Sequence, residues 1–505
     1  MFEPNFTRIV SSVRRNIGRT QSVVELKLPA VDGDVSKIFS VGARSHIKSC
    51  EPIGKEVSFF GVVDFQVVYQ GDIISAVDYS ADFKDRFVDD ADVVGEVVAT
   101  SNVIDVSSSI VAGTIRVTAV IEVCLSVIES KDINVLTSVG GDGAHILASD
   151  IAYTTYLGKA YEKLDVSDEL SLDGVGNILM VTPCVSLTSV NPQENYISIS
   201  GKICLDICYQ GVQGEKDLCS HYHEIDFGGE VAYDGVNGES IVQSLVGVIT
   251  NEMRVSTEIE GSSARMSVYV PIAYTGYVYD ENRLSVIDDL YLEREYLSVT
   301  CENFSTVSSG SSIFFKDNIG GTASIGETAP FIDNVLGVCT NNIMLASARI
   351  EDGKLFVEGV ASSTVMYYTK ETEDITATEV EMPFAIEQKV DAERAEVVSL
   401  SLGNVSARSR RGKEIEVSAT LGVMADVYSE SQSCVISAVS VGDAKTEDDC
   451  QLYLYVARQG QSLWDVAKET SVPENVLLEQ NAKIELPIKA GDKLVVYKPS
   501  VARFE

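Results

Sequence analysis

The sequence has little of what most enzyme active sites are built from. Its 505 residues include only four histidines and one tryptophan. It contains no phosphate-binding loop, no serine nucleophile elbow and no helix with paired zinc-binding histidines. The glycine-rich segment 140–143 lacks the strand-to-helix setting of a phosphate cradle and is predicted to be a turn. These absences argue against an enzyme and favour a binding or scaffold protein.

No metal site and no cofactor are predicted. Cys219, His221 and His223 alternate in the sequence, so on a strand they would share one face. A structural zinc ion needs four ligands held by two elements, and no fourth ligand accompanies these three. The acidic clusters at 89–92 and 447–449 lack the spacing of a calcium loop and are predicted to be solvated turns.

The sequence also lacks the signals of an exported or membrane-bound chain. Its ten cysteines follow no disulfide-framework spacing, as expected of thiols in a reducing cytosol. Residues 1–8 lack the apolar core of a signal peptide. No run approaches the ~18 apolar residues that a membrane span needs. We therefore expect a cytosolic chain with no export signal and no membrane span.

Basic residues are in deficit, with 39 Lys and Arg against 75 Asp and Glu. The resulting net charge of −36 argues against a nucleic-acid partner, because phosphates attract a Lys/Arg surplus. Residues 1–19 are the exception, with four arginines and one glutamate. We predict a basic N-terminal arm, which either contacts a membrane or partner or folds back as a frayed helix on its own acidic surface.

Proline is scarce and β-branched residues are abundant, a composition that favours β-sheet. Three stretches repeat one strand pattern, in which a glycine and a tyrosine are separated by seven residues and apolar side chains keep a period of two. The pairs are Gly61 and Tyr69, Gly201 and Tyr209, and Gly359 and Tyr367. A glycine that recurs within a strand predicts a bulge or a close approach of another backbone.

Other features recur around each of these strands. An apolar segment and a turn precede it, which predicts a hairpin, and a phenylalanine follows at Phe87, Phe227 or Phe384. A second hairpin is predicted to close each repeat, with polar turns at 129–132, 280–282 and 429–431. We predict three tandem β-rich, sandwich-like domains at 20–155, 156–308 and 309–445, the second with extra residues before its closing hairpin.

The pattern changes near the C-terminus. Residues 446–451 are polar and are predicted to be a linker. Residues 452–498 predict a small β-α-α-β domain, in which Ser462 caps the first helix with Asp465 at the third helical position. Residues 499–505 are predicted to form a C-terminal tail.

The small domain resembles a LysM module. The positions that carry the resemblance are Tyr455-Val456, 460–464, Val466-Ala467, Leu477, Asn481 and 491–494. The sequence departs from the pattern at Gln461-Ser462, where many glycan-binding members have Asp-Thr. The three repeats resemble SPOCS domains, and three of them followed by LysM is the order found in SipL-like spore coat morphogenetic proteins.

This resemblance implies a non-enzymatic scaffold of the bacterial endospore coat. The expected partner is the stage IV sporulation morphogenetic ATPase of the coat basement layer, with other coat proteins as further partners. The expected location is the mother-cell cytoplasm at the forespore surface, then the coat, where the protein would tether the basement layer to the forespore.

Two loops of the small domain are predicted to bind the protein partner, because they could present an apolar patch with an aromatic anchor. The predicted residues are Gly460, Gln461, Ser462, Leu463, Trp464, Ile484, Leu486 and Ile488. In the alternative interpretation, Leu463 and Trp464 belong to the core of the module.

Two other functions remain open at this point. A cell-wall glycan binder acting through the LysM-like domain would need an export route. A hydrolase with a site dispersed over the repeats is disfavoured by the scarcity of histidine.

Overall fold

The computed structural model describes residues 2–28, 34–212, 218–261, 263–369, 371–372, 374–445 and 452–498. The predicted linker 446–451 and the tail 499–505 lie outside these residues. Within the described ranges the chain is mainly β, as predicted, with two short α-helices and one 3₁₀ turn.

The first repeat consists of two three-stranded antiparallel sheets that pack face to face. Its strands are β1 (Glu3–Leu28), β2 (Lys37–Ile53), β3 (Glu56–Gln70), β4 (Ile74–Val88), β5 (Glu96–Val111) and β6 (Thr114–Gly140). One sheet has the order β2-β3-β4 and the other β1-β6-β5. Alternate apolar side chains of β3 and β6 fill the space between the sheets, as the period of two requires.

The second repeat has the same two layers. Its strands are β7 (Ala144–Asp173), β8 (Val175–Gln193), β9 (Tyr196–Gly211), β10 (Leu218–Ala232), β11 (Ile241–Val248), β12 (Arg254–Glu260) and β13 (Ser263–Leu292). One sheet has the order β8-β9-β10, and in the other β13 pairs with β7, β11 and β12. The extra residues predicted for this repeat include the 3₁₀ turn Thr250–Glu252, which interrupts the strand equivalent to β5.

The third repeat returns to six strands and is followed by the small C-terminal domain. These elements are β14 (Glu295–Ser324), β15 (Asn334–Glu351), β16 (Lys354–Thr369), β17 (Asp374–Lys389), β18 (Arg394–Arg410), β19 (Glu414–Ala444), β20 (Leu452–Val456), α1 (Leu463–Thr470), α2 (Glu474–Gln480) and β21 (Lys493–Tyr497). The third repeat has the sheets β15-β16-β17 and β14-β19-β18, and β20 pairs with β21.

The recurring glycines lie at the centre of the β3, β9 and β16 strands, each opposite a phenylalanine. A side chain on Gly201 would place its Cβ 2.4 Å from both the Phe227 ring and the Ser186 carbonyl oxygen. The neighbouring strand has a register irregularity beside each glycine. In the first repeat the facing ring is Phe83 and not Phe87, because Phe87 pairs with Val57 and covers Gly18 instead.

The predicted closing hairpins are wrong. The polar segments 129–132, 280–282 and 429–431 lie inside the continuous strands β6, β13 and β19, which are 27, 30 and 31 residues long. Each long strand pairs along its length with β1, β7 or β14 and forms a two-stranded ribbon. The polar side chains are tolerated in the ribbon because residues of the paired strand bind them. For example, the Arg15 guanidinium lies 2.8 Å from Glu129 Oε1.

The basic N-terminal arm is a strand and not a frayed helix. Residues 3–28 form β1, which pairs with β6 from Glu3 to Leu28. Its four arginines are neutralised by acidic partners, including Asp132 for Arg8 and Glu122 for Arg19. The arm therefore does fold back on the acidic chain, but as a sheet strand whose backbone hydrogen bonds are satisfied by β6.

The three ribbons share apolar clusters. One apolar cluster combines Ile9, Val135, Val286, Phe304 and Val435, with members from every repeat. The β2-β3-β4, β8-β9-β10 and β15-β16-β17 sheets meet in another cluster, which includes Phe39, Met180 and Met366 among others. The predicted boundaries at 155/156 and 308/309 fall within β7 and β14, and the repeats are joined instead by the short turns at 141–143 and 293–294.

Among the described residues, Arg14 is the one buried basic side chain, and it lies between the ribbons. The Arg14 side chain is 1% exposed and donates to Ser126 Oγ and to Gln243 Oε1, both at 2.9 Å. Its guanidinium also lies 2.5 Å from a Glu396 carboxylate oxygen and 3.7 Å from Asp426. One arginine of the first repeat thus contacts the second and the third.

We expect the Gly201→Val change to lower the free energy of unfolding by about 1–3 kcal/mol, because the Ser186 carbonyl cannot move away as a side chain could. Gly247→Val is the matched control, since that strand glycine has open space where a Cβ would lie. Thermal unfolding followed by circular dichroism measures both. Equal melting temperatures for the two variants would contradict the packing argument.

A second prediction concerns Asp426. Burial raises the pKa of its carboxyl to about 7, against the opposing effect of Arg14. Because the folded pKa lies above the unfolded one, the stabilisation is full below about pH 4 and is lost as the pH rises through 7. Between pH 5 and 7 the wild type should lose up to about 1.4 kcal/mol more per pH unit than Asp426→Asn. Urea unfolding at each pH measures the free energy of unfolding of both proteins. The same pH dependence in the two would contradict the prediction.

Candidate functional site

The small C-terminal domain carries the predicted partner-binding residues, and its first loop is built around a helix cap. The Asp465 backbone N–H donates to Ser462 Oγ at 3.2 Å, and the Ser462 N–H donates to Asp465 Oδ2 at 2.7 Å. These hydrogen bonds lower the pKa of Asp465. The capping box predicted at the start of α1 is thus confirmed.

The Gln461 side chain is also used within the domain. Its Oε1 accepts from the Arg458 backbone N–H at 2.8 Å, and its Nε2 donates to the Tyr455 hydroxyl at 2.9 Å. Gly460, at φ +82°, supplies the turn that precedes it. These three loop residues, 460–462, therefore shape the loop and start the helix.

Most of the predicted apolar patch is buried. Leu463, Trp464 and Ile488 lie in the hydrophobic core of the domain, and Ile484 is partly buried against it. Leu486 is the exposed member, at 57%. The expectation that these loops present the five side chains together is wrong, because the helices and the strand pair are too small to form a core without them.

The domain is docked on the end of the second ribbon. Trp464 Nε1 donates to Asp289 Oδ2 at 2.8 Å, and Lys468 Nζ lies 2.6 Å from Asp289 Oδ1. The Tyr291 ring packs edge-on against Trp464, with centroids 5.2 Å apart, and its burial raises its pKa to about 12. Lys445 adds hydrogen bonds to the Leu292 carbonyl and to Ser471 Oγ, both 2.7 Å long.

The docking leaves one face of the β20–β21 sheet in solvent. The large apolar side chains on this face are Leu452, Leu454, Val456, Val495 and Tyr497, and all of them are exposed. The alternate residues Leu494 and Val496 are fully buried against the helices. We call these five residues the outer sheet face. Contiguous apolar patches of this kind mark interaction sites.

Sequence reasoning missed the outer sheet face for a physical reason. The β20 strand reads Leu-Tyr-Leu-Tyr-Val and is apolar on both sides, so its pattern does not show which side packs on the helices. Nor does any signal in the sequence identify Asp289 and Tyr291 as the docking residues, which lie more than 170 positions before Trp464.

The other groups considered as sites are occupied by structural contacts. His223 Nε2 lies 2.7 Å from Asp168 Oδ2. The His223 ring stacks on the His221 ring, with centroids 6.4 Å apart. Within the described ranges, no three His, Cys, Asp or Glu side chains are grouped so as to hold a metal ion. Asp64 lines a cavity of about 260 Å³ between the repeats. Its carboxylate accepts hydrogen bonds from the Ser80 and Thr250 hydroxyls.

Comparison with known proteins finds one family. Residues 174–267 match the model described as SipL, SPOCS domain. This segment starts just before β8 and ends within β13, so it covers β8 to β12 and the beginning of β13 but not β7. The match supports a SipL-like, non-catalytic protein associated with the spore coat. No curated protein and no solved structure matches the chain.

None of the helices in the described part of the chain is long and apolar enough to span a membrane.

We expect Asp289→Ala to release the C-terminal domain from the ribbon, because it removes the acceptor of both Trp464 and Lys468. Trp464 is the only tryptophan, so the tryptophan emission of the full chain comes from this one position. Its emission should shift to longer wavelength in Asp289→Ala and stay unchanged in Asp288→Ala, a neighbouring exposed carboxylate. Identical emission in both variants would show that Asp289 does not hold the domain.

Proposed function

We propose that this protein is a non-enzymatic morphogenetic scaffold of the endospore coat. In this proposal it binds the stage IV sporulation morphogenetic ATPase of the coat basement layer and tethers that layer to the forespore, from the mother-cell side. The family match of the second repeat supports the coat role. The observation that carries the binding role is the outer sheet face of the docked C-terminal domain.

We further propose that all three repeats are SPOCS domains and that residues 452–498 are a LysM domain. The matched segment lies in the second repeat, and the first and third repeats have the same pair of sheets in the same strand order. Each also has the strand glycine opposite a phenylalanine ring. The C-terminal domain has the order β20, α1, α2, β21 with its two strands paired antiparallel.

The proposed partner surface is the outer sheet face together with Leu486. Interfaces concentrate their binding energy in a few side chains, and this face offers four aliphatic residues and Tyr497. Of the predicted loop residues, Leu463, Trp464, Ile484 and Ile488 belong to or pack on the core beneath the sheet, and 460–462 shape the loop.

The docking gives this surface a fixed direction. Asp289 and Tyr291 hold α1, so the outer sheet face is presented on a rigid base and not on a free tether. A partner that binds a preorganised surface loses less conformational entropy on binding.

Leu454→Arg should weaken binding of the full chain to the purified coat ATPase at least tenfold, or about 1.4 kcal/mol. Leu486→Arg tests the remaining exposed loop residue in the same way. Val94→Arg, which changes an apolar side chain 73% exposed on the first repeat, is the matched control and should bind normally. Unchanged circular dichroism and Trp464 emission would show that the variants are folded.

The same proteins tested against purified peptidoglycan separate scaffold from glycan binder. We expect little retention of the wild type, since Gln461 and Ser462 are engaged in hydrogen bonds within the domain. Tight retention on peptidoglycan without measurable affinity for the ATPase would overturn the scaffold assignment.

A further inference from the structure

The nine cysteines in the described part of the chain differ sharply in exposure. None is in a disulfide, and Cys301 and Cys434 are the exposed ones among them. The others are buried or half-buried in the sheets. An oxidant or alkylating reagent in solution therefore reaches these two thiols first.

The two exposed thiols face each other across the third ribbon. Cys301 lies on β14 two positions from Asn303, and Asn303 pairs directly with Cys434 of β19. Side chains two positions apart on a strand share a face, so Cys301 and Cys434 are diagonal neighbours on the outer face of the ribbon. Partial burial and the neighbouring Cys434 thiol raise the pKa of Cys301, in agreement with this placement.

The backbone at this point is irregular. The pairing of β14 with β19 shifts register between Thr300 and Cys301, which leaves Ser437 as an extra residue in β19. A bulge of this kind lets the two strands adjust their separation locally. Disulfide formation requires the two strands to shift until the sulfur atoms reach bonding distance. The irregular backbone beside Cys301 can make this shift while the regular pairing on either side is kept.

Two other cysteine pairs are close but shielded. Cys184 and Cys204 face each other directly in the pairing of β8 with β9. Cys208 and Cys339 meet where the second and third repeats join, in the apolar cluster with Phe39 and Met180. Burial raises the pKa of Cys184 to about 11. These pairs are internal controls for proximity without access.

We propose that Cys301 and Cys434 form an oxidisable dithiol that closes to an intramolecular disulfide on reaction with a low-molecular-weight disulfide. In the first step one thiolate attacks a sulfur of the reagent, which forms a mixed disulfide and releases one small thiol. The second protein thiolate then attacks the bound protein sulfur and releases the other small thiol. The protein loses two hydrogens, and the reagent is reduced to two thiols.

The position of the pair gives the disulfide a structural effect. It would close a loop of about 130 residues that contains β15 to β18, which is most of the third repeat. Oxidation would thus lock the third repeat, because the bond joins its first and last strands.

The test uses the full chain with Cys450→Ser, because Cys450 lies outside the described residues. The protein is incubated with oxidised glutathione at pH 8.5, where more thiolate is present, and remaining thiols are alkylated before peptide mapping by mass spectrometry. We expect a Cys301–Cys434 linked peptide, a mass lower by two hydrogens, and faster migration on a non-reducing gel that dithiothreitol reverses. The melting temperature should rise by about 2 °C or more.

The single variants Cys301→Ser and Cys434→Ser should each accept one glutathione and form no link, while Cys184, Cys204, Cys208 and Cys339 stay reduced. Both substitutions lie at exposed positions, so the variants should fold as the parent does. Separate alkylation of Cys301 and Cys434 with no linked peptide would overturn the proposal. A disulfide formed between two chains would overturn it equally.

Discussion

The arrangement of the three repeats depends on one buried cation. Arg14 comes from the first repeat, yet its guanidinium lies beside Glu396 and Asp426 of the third and donates a hydrogen bond to Gln243 of the second. Removing one partner of a buried charge leaves the other uncompensated, which typically costs about 3–5 kcal/mol. The donor comes from the first repeat and the acceptors come from all three, so this network links the relative positions of the repeats.

The long ribbons explain how the repeats can share such a centre. One half of each ribbon closes the core of its own repeat, and the other half contributes to an apolar cluster that contains side chains from all three. A strand that belongs to two cores fixes the position of one relative to the other, because the same paired strand continues through both. The repeats are therefore coupled through the packing of these long strands.

This rigidity bears on the proposed scaffold role. The C-terminal domain rests on the end of the second ribbon through Asp289 and Tyr291, so the outer sheet face inherits its orientation from the whole assembly of repeats. The acidic chain and the apolar outer sheet face have surfaces of different character, which suit different roles. Charge keeps the large body soluble, and the uncharged patch is the part suited to a protein contact.

Local patterns in the sequence determined the strands, the first hairpin of every repeat, the threefold recurrence and the capping box at Ser462 and Asp465. These features depend on a period of two, on turn residues and on a cap, all of which act between residues close in the chain. The sequence did not reveal that 129–132, 280–282 and 429–431 continue as strands. Polar residues in these segments predict turns when only the local sequence is considered. They form strands because they pair with β1, β7 and β14, more than 100 residues away.

Tertiary structure alone also decided the burial of Trp464, the exposure of the outer sheet face and the meeting of Cys301 with Cys434. Trp464 is apolar in any context, but only the approach of Asp289 and Tyr291 makes it a docking residue. The β20 strand is apolar on both sides, so the side that stays in solvent is set by where the helices pack. Composition and periodicity specify what each segment can form, whereas contacts between distant segments select which face is buried, because burial is a property of the assembled chain.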